Sequence, residues 1–130
     1  MENWKYFGVF LSPSEKEHVL NILAPYINHV EGGKIYCDHM TIIFNDKSDI
    51  AKAWAASTEK HLGEEVELTA YQIGESDKII AIKVKGGLTA NDIPHITILC
   101  KPGGKPVESN YITDWKDIEP FSIKGKIEYR

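Results

Sequence analysis

His39-Met40-Thr41-Ile42-Ile43-Phe44 and His95-Ile96-Thr97-Ile98-Leu99-Cys100 repeat one pattern, His-apolar-Thr-Ile-apolar, in the two halves of a 130-residue chain. Both runs are rich in branched aliphatic residues and read as strands. Successive residues of a strand point to opposite faces. His39 and Thr41 therefore share one face, with Met40 and Ile42 on the other. His95 and Thr97 are set against Ile96 and Ile98 in the same way. With five histidines in the chain, roughly 0.03 copies of His-x-Thr-Ile are expected by chance, so two copies with matched flanks carry information.

The rest of the chain supplies a scaffold for these strands. Lys5 to Leu11 reads as a buried strand. Ser12-Pro13-Ser14-Glu15 follows it with an N-cap, a proline at the first helical position and a capping-box glutamate. Val19, Leu20, Leu23 and Ile27 then recur at helical spacing to about Pro25–Ile27, and Gly32-Gly33 breaks the chain. A strand is expected over 35–44. A second helix from Asp46 or Ser48 carries Ala51, Trp54, Ala55, Thr58 and Leu62 on one face and ends at Gly63. Residues 65–73 and 78–84 form a hairpin about Gly74-Glu75-Ser76-Asp77. A loop with Gly86-Gly87 and Pro94 leads into the second motif, and Pro102-Gly103-Gly104 ends it. Ser109 to Trp115 is a short helix or turn, and Phe121 to Tyr129 alternates as a closing strand. The sum is an α+β domain spanning 1–130. Paired motifs in its two halves point to two related lobes.

Composition narrows the partners. The chain is 42% hydrophobic and 26% charged, with a formal charge of −4. It has no basic run of the kind that grips a duplex, so a small nucleotide or strand end is the expected partner, and a monomer the expected state. Nothing in the chain reads as a signal peptide or a membrane-length apolar stretch, so a cytoplasmic location is expected, in the host cytoplasm if the protein is viral. Cys37 and Cys100 lie in apolar runs and read as small core residues. His18, His29 and His61 show no ligand spacing, and the glycine pairs match no phosphate-binding fingerprint. Neither a metal nor a cofactor is expected.

Two imidazoles and two hydroxyls brought to one cavity match the needs of in-line displacement at phosphorus. One histidine takes a proton from the attacking oxygen and the other gives one to the departing oxygen. The threonines hydrogen-bond the non-bridging oxygens. The catalytic candidates are thus His39, Thr41, His95 and Thr97. Tyr6, of the same strand parity as Gly8 and Phe10, is a candidate to stack a base or contact phosphate. Lys105 and Asn110, in the loop after the second motif, and Trp115 are further substrate-binding candidates.

The two His-x-Thr-apolar motifs resemble the signature of the 2H phosphoesterase superfamily. The opening strand Tyr6-Phe7-Gly8-Val9-Phe10-Leu11 before a capped helix, and the stretch His95 to Asn110, are also similar. The resemblance takes in small RNA-repair phosphodiesterases and phage enzymes that counter cyclic-nucleotide immunity. It implies a bilobal fold of two antiparallel sheets about a pseudo-two-fold axis, helices outside and the histidines in a central groove. It also implies a metal-independent phosphodiesterase acting on a 2′,3′-cyclic phosphate or a cyclic oligonucleotide messenger. The alternatives are an RNA end-processing, ligase-like enzyme acting on tRNA, or a protein that sequesters a nucleotide without cleaving it.

Overall fold

The computed structural model describes residues 3–130. In chain order its elements are β1 (Tyr6–Phe10), α1 (Pro13–Ile27), β2 (Lys34–Ile35), β3 (His39–Phe44), α2 (Asp49–Glu59), β4 (Glu65–Glu75), β5 (Ile79–Lys85), β6 (His95–Cys100), a 3-10 helix (Pro106–Tyr111) and β7 (Trp115–Tyr129). Ser12 caps α1 as its sequence signals, accepting the Glu15 N–H at 3.2 Å. Glu15 does not turn back to close a capping box. Its carboxylate accepts the Lys124 N–H at 2.9 Å and so fastens the start of α1 to β7. Ser48 caps α2 in the same way, through the Ala51 N–H. No helix among the described residues is long and apolar enough to cross a membrane.

The strands do not divide into two sheets or two lobes. They form one sheet in the order β2-β6-β3-β1-β7-β4-β5, and pairing of β5 with β6 closes six of them into an antiparallel barrel. The reason lies in the motif strands themselves. Rather than heading separate halves, β3 and β6 are direct neighbours, with Met40 opposite Ile96. The single strand expected over 35–44 is broken at Cys37, whose φ is 51°. Before the break, β2 pairs with β6 at Lys34↔Cys100 and Ile35↔Leu99. After it, β3 runs between β6 and β1.

Register shifts let so few strands curve round. They fall at Phe7/Gly8, Ala70/Gln72 and Ile80/Ala81, and such bulges sharpen the local twist. Pro120 lies where β7 skips from Phe121 to Asp117 against β4, a place that demands no ladder donor. One apolar core joins Phe7, Val9, Met40, Ile42, Leu68, Ile82, Ile96 and Ile98 of the strands to Val19 and Leu23 of α1 and Ala51 and Ala55 of α2. A smaller cluster of Ile79, Ala81, Cys100 and Ile112 lies beneath Tyr36 and Trp115. Both cysteines are buried and free, and burial pushes the Cys37 thiol up to about 12, which fits a packing role.

Because the β3–β6 pair depends on buried Ile96 and Met40, an Ile96→Ala substitution is expected to destabilise the fold by about 2–5 kcal/mol. Urea unfolding followed by tryptophan fluorescence measures it; a loss below about 1 kcal/mol would show that this register is not a main support.

Candidate functional site

The antiparallel sense of β3 and β6 settles the placement of the motif residues. With Met40 facing Ile96, His39 falls on the Thr97 side and Thr41 on the His95 side. Met40, Ile42, Ile96 and Ile98 all turn into the core, so the four polar side chains turn to the other face. There they line one cavity of about 780 Å³. This is the arrangement that strand parity anticipates, reached by pairing of adjacent strands and not by the meeting of two lobes.

Strand β1 completes the floor. Phe10 pairs with His39 and Gly8 with Thr41. Phe7 and Val9 enter the core, leaving Tyr6, Gly8 and Phe10 on the cavity side. The His39 ring lies 4.9 Å from that of Tyr6 and 5.0 Å from that of Phe10, each pair inclined by 26°. Burial among these rings is the largest influence on His39 and lowers its pKa below the ordinary value. Asp38 opposes that shift, while Arg130 and His95 add to it. Asp38 is itself answered by Lys16 at 3.0 Å.

His95 is held differently. Its Nδ1 lies 2.7 Å from the Ile93 carbonyl oxygen. A carbonyl only accepts, so Nδ1 carries the proton and Nε2 is the nitrogen left for chemistry. Burial again lowers the pKa, and the Ile93 hydrogen bond partly restores it. Thr97 Oγ1 is 2.8 Å from Ser109 Oγ. Ser109 is fully buried, and the 3-10 helix carries it over β6.

The other sequence candidates divide. Tyr6 and Asn110 line the cavity, and Asn110 donates from Nδ2 to the Val107 carbonyl oxygen. Lys105 does not line it; it precedes the 3-10 helix as an exposed cap residue. Trp115 does not line it either. Its indole N–H donates to the Ile112 carbonyl at 3.1 Å, and the Lys83 ammonium sits 4.8 Å from the centre of its ring. Trp115 packs on the smaller apolar cluster, which explains why a tryptophan occupies a polar segment. Sequence reasoning missed Phe10, Tyr36, Asp38, Ser109 and Arg130. Only Phe10 carried a usable signal, its parity with Tyr6. The others reach the site through the kink at Cys37, the 3-10 helix and the last residue of the β7 side. Among the described residues, no group of three or more His, Cys, Asp or Glu side chains is placed to hold a metal ion.

No protein-family model matches the chain, and no curated protein sequence matches it. Among solved structures, a fungal RNA kinase is similar over 98% of this chain, with a TM-score of 0.60 and 17% sequence identity. This chain spans 44% of that kinase chain, less than half its length. At this identity the likeness is one of fold alone.

Proposed function

We propose that the protein is a phosphodiesterase of the 2H type, hydrolysing a phosphodiester in a small nucleotide or short oligonucleotide. One observation carries the reading: His39, Thr41, His95 and Thr97 share one face of two adjacent antiparallel strands and line one cavity. In the proposed reaction a water oxygen attacks phosphorus while one imidazole takes its proton. The bond to the leaving oxygen breaks as the other imidazole supplies a proton to it. The pair keeps its total of protons, but each histidine ends in the other's starting state, so the charged one returns its proton to solvent and the neutral one takes one up before the next turnover. The Thr97 and Ser109 hydroxyls can bond in either direction; in the sense in which Ser109 donates, the Thr97 hydroxyl hydrogen is left to meet a non-bridging oxygen. Thr41 fills the matching place beside His95. Tyr6 and Phe10 supply ring surface for a base next to the phosphate.

A second reading, processing of an RNA end such as a 2′,3′-cyclic phosphate on a tRNA fragment, draws on the fold likeness to a fungal RNA kinase. The same two imidazoles serve it. Nucleotide sequestration without cleavage has less support, because a binder has no use for two desolvated proton-transfer groups facing one cavity.

Two expectations test the proposal. Incubation with 2′,3′-cyclic mononucleotides, cyclic di- and trinucleotides and short RNA diesters, in the presence of EDTA, should give a hydrolysed product resolvable by chromatography. His39→Ala and His95→Ala should each lower kcat/KM by about 10²–10⁴-fold, the usual worth of general acid–base catalysis. Near-wild-type turnover in either variant refutes a two-histidine mechanism.

The second concerns pH. Burial lowers both imidazoles from the ordinary value near 6.5. The proton donor must be charged, so activity is lost as pH rises through its lowered pKa. The acceptor must be neutral, so activity is lost as pH falls through its own. The bell of kcat/KM against pH should therefore peak on the acid side of 6.5, its two limbs belonging to the pair and not to either residue. An apex above pH 7.5 would contradict desolvated histidines as the acid and base.

A further inference from the structure

Among the described residues, Arg130 is the one Lys or Arg side chain that lines the cavity. Its guanidinium carbon lies 4.0 Å from the centre of the Phe10 ring. No carboxylate among the described residues lies within ion-pair distance of it. Among the described residues its side chain donates to the Tyr129 carbonyl oxygen alone, at 3.1 Å. A guanidinium has five N–H donors in a rigid fork, so most of the donors of Arg130 remain for a ligand. The other charged residue of the lining, Asp38, already has Lys16 as its partner. The cavity thus offers an anion one cation that no described carboxylate answers, oriented by stacking on an aromatic ring.

Its position is off the catalytic row. The histidines and threonines stand on β3 and β6. Arg130 enters from beyond β1, where its backbone exchanges hydrogen bonds with Tyr6. The strand order is β6-β3-β1-β7, and neighbouring strands are about 4.8 Å apart. Phe10, over which the guanidinium sits, is therefore one strand spacing to the side of His39, and two from β6. A phosphate centred between the imidazoles is held from β3 and β6, whereas the guanidinium covers ground beside it.

Resting on the phosphodiesterase reading, we propose that Arg130 binds a second phosphate of the substrate, adjacent to the one that is cleaved. The substrate class is then a nucleotide carrying at least two phosphates, such as a linear or cyclic oligonucleotide, and not a mononucleotide 2′,3′-cyclic phosphate. A cavity of about 780 Å³ accommodates such a ligand, lying in the upper part of the usual range for small-molecule sites.

The test measures binding, so that it does not depend on turnover. In a His95→Gln background, dissociation constants are determined for a diadenosine ribonucleotide with a single bridging phosphate. They are then determined for the same dinucleotide carrying an additional 5′- or 3′-phosphate. With Arg130 present, one of the doubly phosphorylated ligands should bind about tenfold more tightly, and the ratio should shrink as salt is raised. In R130Q the ratio should collapse towards one. In R130K, which keeps the charge and loses the planar fork, it should be intermediate. A ratio unchanged in R130Q overturns the proposal, as does an R130Q protein that weakens the singly and doubly phosphorylated ligands equally. Thermal melting of each variant separates loss of the contact from loss of the fold. If wild-type protein cleaves none of these ligands yet the Arg130-dependent ratio persists, the phosphodiesterase reading fails and the phosphate site stands.

Discussion

Met40 opposite Ile96 is the register on which the site depends. Strand pairing has a two-residue side-chain period, so a slip of one position would exchange the two faces of a motif strand. With both motif strands slipped, His39, Thr41, His95 and Thr97 would enter the core, and Met40, Ile42, Ile96 and Ile98 would face solvent. Burying a side chain of that size contributes about 1.5–3 kcal/mol. The four together represent about 6–12 kcal/mol, comparable to the whole stability of an ordinary domain. The polar residues thus reach the cavity because their apolar neighbours have nowhere else to go. Hydrophobic burial, which has no interest in chemistry, aims the imidazoles.

The same burial sets the charge state of the site. Desolvation is the leading influence on both histidines, and it favours their neutral forms. The Asp38 carboxylate alone would repel an anion, but Lys16 answers it and Arg130 adds a cation over Phe10. An acidic chain of net charge −4 can therefore present a locally anion-accepting cavity without a basic surface. On the proposed reading such a site suits a small ligand held by a few contacts. A long polyanion, which draws affinity from many neutralised phosphates, gains less from it.

What the sequence could disclose was periodic or local. The two motifs, the capping Ser12, the helix start near Asp46 or Ser48 and the hairpin of β4 with β5 all rest on spacing within a short window, and each has its counterpart in the structure. The face shared by Tyr6, Gly8 and Phe10 was legible for the same reason. What was not legible depends on partners distant in the chain. Duplicated motifs are equally consistent with two lobes or with two adjacent strands of one barrel. The difference lies in the closing contact between β5 and β6, which no local pattern records. Trp115 looked like a candidate for base stacking because its neighbours are polar, yet β7 begins there and the ring turns onto Ile79, Ala81, Cys100 and Ile112. Arg130 stands next to Tyr6 only through pairing between the two ends of the described chain.

Two backbone details show how closely the floor of the cavity is fitted. A Cβ at Gly8 would stand 2.9 Å from the Met40 carbonyl oxygen and 3.4 Å from the His39 ring. The bare backbone at that position lets β1 lie close under β3, with Tyr6 and Phe10 rising on either side against the imidazole. At Cys37 the positive φ costs about 1–3 kcal/mol for a residue that has a Cβ. The turn keeps β6 paired through the change of direction. Tyr36 donates its N–H to Ile98 at 2.8 Å and Cys37 donates to Thr97 at 2.9 Å, so no ladder group of β6 is abandoned there. The Thr97 backbone is thereby fixed from one edge by Cys37 and from the other by Ala81, while Ser109 fixes its hydroxyl. Thr97, the residue proposed to meet a phosphate oxygen, is thus located by three separate parts of the chain, and the strain at Cys37 is the local cost of that placement.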